Sequence, residues 1–296
     1  MTLVFGYASL DIGFLVADTL LSFPTTKYDP RNPMIERFHA LKIQILNPDV
    51  AVAFAGDVET SLAIISHLHR ELTIDPTLSV PQRLLDLRRE LAVRTNGALR
   101  GDCEFLALLL SSGQKQLVHV NNDQVHYMQR AYIGDSGAYE NFRSLMQPYT
   151  GPENCFVQNA DGTFAKIPQL VTEGEKEFDQ VSVALEKLTH QRRSETVGAI
   201  CGCVTRVVNA RISGKLEYLQ SVEASVSPWE GRGGFSLLAA NTGTRGIGIY
   251  YFGWHTGLLF IVGDSVTCHK EAAATIEQFV EIAWSKYGLS LEGGMW

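Results

Sequence analysis

Residue 2 is a threonine directly behind the initiator methionine, at the head of an apolar stretch. Removal of Met1 would leave a hydroxyl and a free α-amine on a single residue. A threonine hydroxyl is a weak nucleophile until a base takes its proton. An N-terminal amine, with a reference pKa of about 7.7–8.0, is one of the few bases able to do so near neutral pH. Thr2 is therefore a candidate attacker and base together. Asp18 closes the apolar run Phe14-Leu15-Val16-Ala17, and a carboxylate ending a buried strand needs a partner, because burying it alone costs several kcal/mol. The plainer reading of Asp18 is a turn residue. Lys42 precedes Ile43-Gln44-Ile45-Leu46-Asn47 and is a cation at the mouth of another buried strand, although most lysines at strand ends are solvated.

The elements that would position these groups follow from pattern. Leu3–Ser9 and Phe14–Thr19 flank a polar, glycine-containing break at 10–13, which predicts a hairpin buried on both faces. A turn centred on Leu10 sets Asp18 opposite Thr2, and a centre one residue later moves the pairing by a step or two. Pro48 cannot donate to a ladder, so Asn47-Pro48-Asp49 is the turn between the Lys42 strand and Val50–Ala55. Amphipathic helices are predicted after Asp57 and after Ser79, and a hairpin about Ser112-Gly113 is followed by a short strand at 125–128. Next comes Gly134-Asp135-Ser136-Gly137, an ordinary helix start on its own. A further helix is predicted from about Glu175. Five strands at 198–208, 215–223, 235–240, 246–252 and 257–263 and a helix at 270–287 complete the chain.

Taken in order, Thr2, Ala17-Asp18, Lys42-Ile43-Gln44-Ile45-Leu46-Asn47 and Phe54-Ala55-Gly56-Asp57 resemble the opening of a proteasome β-type subunit or its bacterial relatives, within the N-terminal nucleophile hydrolases. The sixteen-residue step from Thr2 to Asp18 is that family's own. The resemblance covers 2–57 best, weakens to about 208 and is faint beyond. It implies an α+β fold, a single four-layer αββα sandwich over 1–296. Inserted loops would lie near 24–38 and 149–173, with an elaborated region at 209–296. It implies a threonine-type peptidase in which Thr2, Asp18, Lys42 and Ser136 are catalytic and the Gly56 N–H serves the oxyanion. Leu21, Ser22, Ala40, Phe54 and Val58 would bind substrate. The implied partners are a peptide or unfolded-protein substrate, further copies in a homo-oligomeric ring and an ATP-dependent unfoldase, with no cofactor and no metal. A catalytically silent ring or scaffold subunit is the alternative, and an amidase on a small non-peptide substrate a third. The chain departs from the family where an arginine two residues after the aspartate is Leu20. The later Asp-x-x-Ser-Gly-Gly has no counterpart, since Ser194-Glu195-Thr196-Val197-Gly198-Ala199 keeps one glycine.

Composition bounds the reading. The 296 residues are 45% apolar with a net charge of −7, enough to bury a large core and without the basic stripe that nucleic acid requires. No apolar run reaches membrane-spanning length and no signal pattern precedes Thr2, so a soluble, cytoplasmic protein is expected. The five cysteines show no CxxC spacing and read as reduced core residues. His67 and His69, two apart on a helix, point in different directions and suggest no metal site.

Overall fold

A computed structural model describes residues 3–20, 39–94, 103–111, 113–121, 124–149, 154–158, 164–168, 171–190, 197, 204–209, 214–219, 221–223, 226–227, 231–232, 235–240, 246–262 and 268–292. Strands β1 (Leu3–Ala8) and β2 (Gly13–Ala17) form the expected hairpin, closed by the Ser9 N–H donating to the Ile12 carbonyl at 2.8 Å. Strands β3 (Ile43–Asn47) and β4 (Val50–Ala55) flank Pro48, and the Asn47 side chain accepts the Asp49 N–H at 2.9 Å. The Asp57 carboxylate caps helix α1 (Val58–Ile74) by accepting the Thr60 N–H, one of the donors a helix start leaves unpaired. Helix α2 (Val80–Arg94) lies beside α1, tied to it by Arg83, whose guanidinium donates to Glu71 at 2.6 and 2.7 Å. A meander of β5 (Glu104–Ser111), β6 (Gln114–Val120) and β7 (Val125–Met128) leads to β8 (Arg130–Gly134) and helix α3 (Ser136–Leu145).

The remaining chain is richer in strand. A hairpin of β9 (Asn154–Gln158) and β10 (Phe164–Pro168) occupies the region expected to be an inserted loop, ahead of helix α4 (Glu173–His190). Then follow β11 (Thr205–Asn209), β12 (Leu216–Tyr218), β13 (Ser221–Glu223), the two-residue strands β14 (Val226–Ser227) and β15 (Gly231–Arg232), β16 (Phe235–Ala240), β17 (Gly246–Tyr251), β18 (Thr256–Ile261) and β19 (His269–Ala272). Helix α5 (Ile276–Tyr287) and β20 (Leu291–Glu292) end the described chain. The helix predicted from 270 begins only at Ile276: 269–272 pairs with β18 as a strand, and Thr275 caps the helix by accepting the Gln278 N–H.

Three antiparallel sheets carry the architecture. Sheet one is β12-β11-β2-β1-β8, sheet two is β3-β4-β5-β6-β7, and sheet three is β13-β16-β17-β18-β19 with β20 on β16. Strand outweighs helix, and the four-layer αββα sandwich implied by the resemblance is not the fold of this chain. The reason lies in the last third, where successive residues of β16 bury both faces. Phe235, Leu237 and Ala239 enter a central core shared with Val4, Leu15, Ile43, Ala53 and Leu106 of the first two sheets. Leu238 faces the other way into a separate core with Tyr250, Leu259, Phe279 and Ala283 of α5. Two-faced burial requires a further covering layer, and α5 supplies it. Sheet two is covered by α1 and α2 through Val52, Phe54, Ile65 and Leu68, and sheet one by α3 and α4 through Phe5, Phe14, Phe142 and Leu185. The 24–38 loop lies outside the described residues.

The packing of α5 on sheet three has a direct test at Gly257 of β18. A Cβ there would stand 2.0 Å from the ring of the fully buried Phe279. Gly257→Ala is expected to cost about 1–3 kcal/mol of folding stability, read from the denaturant midpoint.

Candidate active site

Asp18 and Lys42 meet in the interior. The Lys42 ammonium donates to Asp18 Oδ1 at 2.8 Å, with side chains only 1% and 0% exposed. Asp18 follows β2 of sheet one and Lys42 precedes β3 of sheet two, so the ion pair crosses from one sheet to the other. The same Oδ1 accepts the Leu3 N–H at 3.2 Å. The hairpin register, with Val4 opposite Ala17, sets Asp18 level with Leu3, one step from the Thr2 pairing that a turn centred on Leu10 predicts. Thr2 lies outside the described residues, as do Leu21 and Ser22, yet its peptide bond ends on the nitrogen that Asp18 holds. A buried charge pair is thus anchored to the backbone directly beside residue 2.

Burial pulls the Lys42 ammonium below the ordinary lysine range, and the Asp18 carboxylate pulls it back up. Lys42 is held by geometry as well as by charge, since its carbonyl accepts the Phe54 N–H at 3.1 Å. Tyr218 of β12 supports the same strand: its hydroxyl donates to the Ile43 carbonyl at 3.0 Å and accepts the Ile45 N–H at 3.2 Å. Burial drives that hydroxyl's pKa upward, keeping it a neutral donor.

Two glycine turns lie at the ends of neighbouring strands. Gly56 follows β4 at φ 100° and Gly134 ends β8 at φ 106°, a region that favours glycine, and each precedes an aspartate that caps a helix. Leu3 pairs with Gly134, which brings the start of β1 to the β8–α3 turn. Ser136 is the first residue of α3, exposed and two residues past that pairing. Gly56 is exposed at the mouth of sheet two, and half-buried Val58 begins α1. Of the five residues implied for substrate binding, Ala40, Phe54 and Val58 are among the described residues. The Phe54 ring is buried in the core beneath α1 and α2, and Ala40 is buried beside the site with its N–H on the Thr19 carbonyl.

Sequence patterns missed Thr19 and His39. Thr19 Oγ1 and His39 Nδ1 lie 2.9 Å apart, both buried, on the two segments that carry Asp18 and Lys42. No local signal marks His39, because its partner is brought to it by tertiary structure. Tyr218 was missed for the same reason, across 173 and 175 residues. The described thiols are poor rival nucleophiles. Burial raises Cys103, and it pushes Cys268 up to about 11, so both stay protonated near neutral pH. Cys201 and Cys203 lie outside the described residues. Among the described residues no group of three or more His, Cys, Asp or Glu side chains could hold a metal ion. No family model matches this chain, and no curated protein matches it.

Lys42→Met keeps the apolar stem and leaves Asp18 buried without its cation. A loss of about 3–5 kcal/mol is expected, since removing one partner of a buried pair strands the other charge. Denaturant unfolding should show the loss as a lower midpoint.

Proposed function

We propose that the chain is a threonine-type N-terminal nucleophile peptidase that cleaves peptide bonds through Thr2 once Met1 is removed. The observation that carries the reading is the buried Asp18–Lys42 pair bonded to the Leu3 N–H, next to residue 2. In the proposed reaction the Thr2 amine takes the hydroxyl proton as Oγ bonds to the substrate carbonyl carbon. The tetrahedral intermediate then collapses, the C–N bond breaks and the departing amine receives the proton. Water hydrolyses the resulting ester and restores Thr2. The Gly56 N–H is the proposed oxyanion donor, on a glycine that permits close approach. The Lys42 ammonium favours the neutral, basic form of the Thr2 amine by like-charge repulsion, while Asp18 keeps Lys42 charged. Ser136, at the turn paired with Leu3, is the proposed holder of the amine.

Among the described residues no helix is long and apolar enough to cross a membrane. A cytoplasmic homo-oligomer acting on peptides or unfolded chains belongs to the same proposal. Light scattering of the purified protein is expected to give a multiple of the chain mass, and a monomer at micromolar concentration would remove the ring from the reading.

A peptide epoxyketone tests the chemistry, because its ketone takes the hydroxyl and its epoxide takes the amine of the same residue. Intact mass spectrometry should find a chain beginning at Thr2 and an adduct carrying the whole mass of the probe, absent from Thr2→Ala. The adduct rate should rise with pH through the titration of the amine, whose neutral form is the base. A chain that keeps Met1 and takes no probe would be a catalytically silent interaction protein.

A further inference from the structure

The two segments that deliver Asp18 and Lys42 lie outside the ladders of sheets one and two. Residues 18–20 leave β2, residues 39–42 enter β3, and one isolated antiparallel bridge, Leu20 with His39, joins them. The Ala40 N–H donates to the Thr19 carbonyl at 2.9 Å. A slip of one residue between these segments would turn every side chain of 39–42 to the opposite face. Lys42 would then point away from Asp18. The side-chain bond between Thr19 and His39 opposes that slip. Thr19 is 2% and His39 1% exposed, so misalignment would leave two buried polar groups unpaired. His39 is anchored on its other side too, where its carbonyl accepts the Cys268 N–H at 3.3 Å from the segment opening β19.

We propose that His39 is a positioning residue for the candidate site: clasped to Thr19, it holds residues 39–42 in register against 18–20 and so fixes where the Lys42 ammonium stands beside Asp18. The consequence for catalysis rests on the peptidase reading given above. The geometric role does not.

The test therefore reads Lys42 and the probe separately. Thr19→Val is nearly isosteric and removes the hydroxyl; His39→Leu removes the imidazole. His39→Asn keeps a donor and an acceptor near the Nδ1 position. With lysines labelled at 13Cε and Lys42 assigned through Lys42→Arg, both Thr19→Val and His39→Leu are expected to shift the Lys42 titration downward, as the upward pull of Asp18 weakens. The epoxyketone adduct rate should fall about tenfold or more in both, the scale of a sub-ångström to ångström misplacement of a catalytic group. His39→Asn should keep the wild-type titration and a rate within about threefold of it. A folded Thr19→Val variant with unchanged titration and rate would overturn the proposal. Equal losses in His39→Leu and His39→Asn would also overturn it, assigning the ring to packing. Should His39→Leu fail to fold, Thr19→Val and His39→Asn still decide. Wild-type protein that takes no probe, combined with a shifted Lys42 in Thr19→Val, would remove the peptidase reading and leave the positioning role standing.

Discussion

The ion pair between Asp18 and Lys42 is the constraint around which the first two sheets are arranged. Two charges taken out of water are tolerated only when their geometry is good and their remaining valences are filled. Here one carboxylate oxygen receives both the ammonium and the Leu3 N–H. The pair spans two sheets, so it cannot be satisfied by a single hairpin folding alone. Its formation requires β1 paired with β2, β3 paired with β4, and the two sheets facing each other over the central core. A local interaction thereby reports on global order.

Around that pair the chain places turns rather than regular structure. Strand β4 is followed by, and β8 finishes on, a glycine with positive φ, and each glycine precedes a helix-capping aspartate. The strand end stops the ladder, the glycine turns the backbone, and the cap takes up a donor at the helix start.

Much of the first half was legible because its signals are short-range. Pro48 and the Asn47 side chain define the β3–β4 turn, Asp57 and Asp135 cap the helices they precede, and the break at Ser112-Gly113 after an apolar run separates β5 from β6. Asp18 and Lys42 were also legible, since a charge at the end of an apolar strand demands an account. The rest depended on distance in sequence. Thr19 with His39, and Tyr218 with Ile43 and Ile45, are tertiary pairings with no local pattern. The resemblance implies a substrate contact for Phe54, and the structure sets its ring in the core with residues of α1 and α2. The architecture was missed in the last third, where strands apolar on both faces require a layer that composition alone does not announce.

The shared central core has a bearing on how the protein comes into being. Strand β2 finds its second neighbour only when Thr205–Asn209 is present, and the central core contains Phe235, Ile249 and Phe260 from sheet three. During synthesis the segment bearing Asp18 and Lys42 emerges first but must wait for more than two hundred further residues before its surroundings are sealed. Until then apolar strands of the first two sheets are open to solvent and to other chains. Completion of the site is in that sense a late event, governed by the end of the polypeptide that lies farthest from it in sequence.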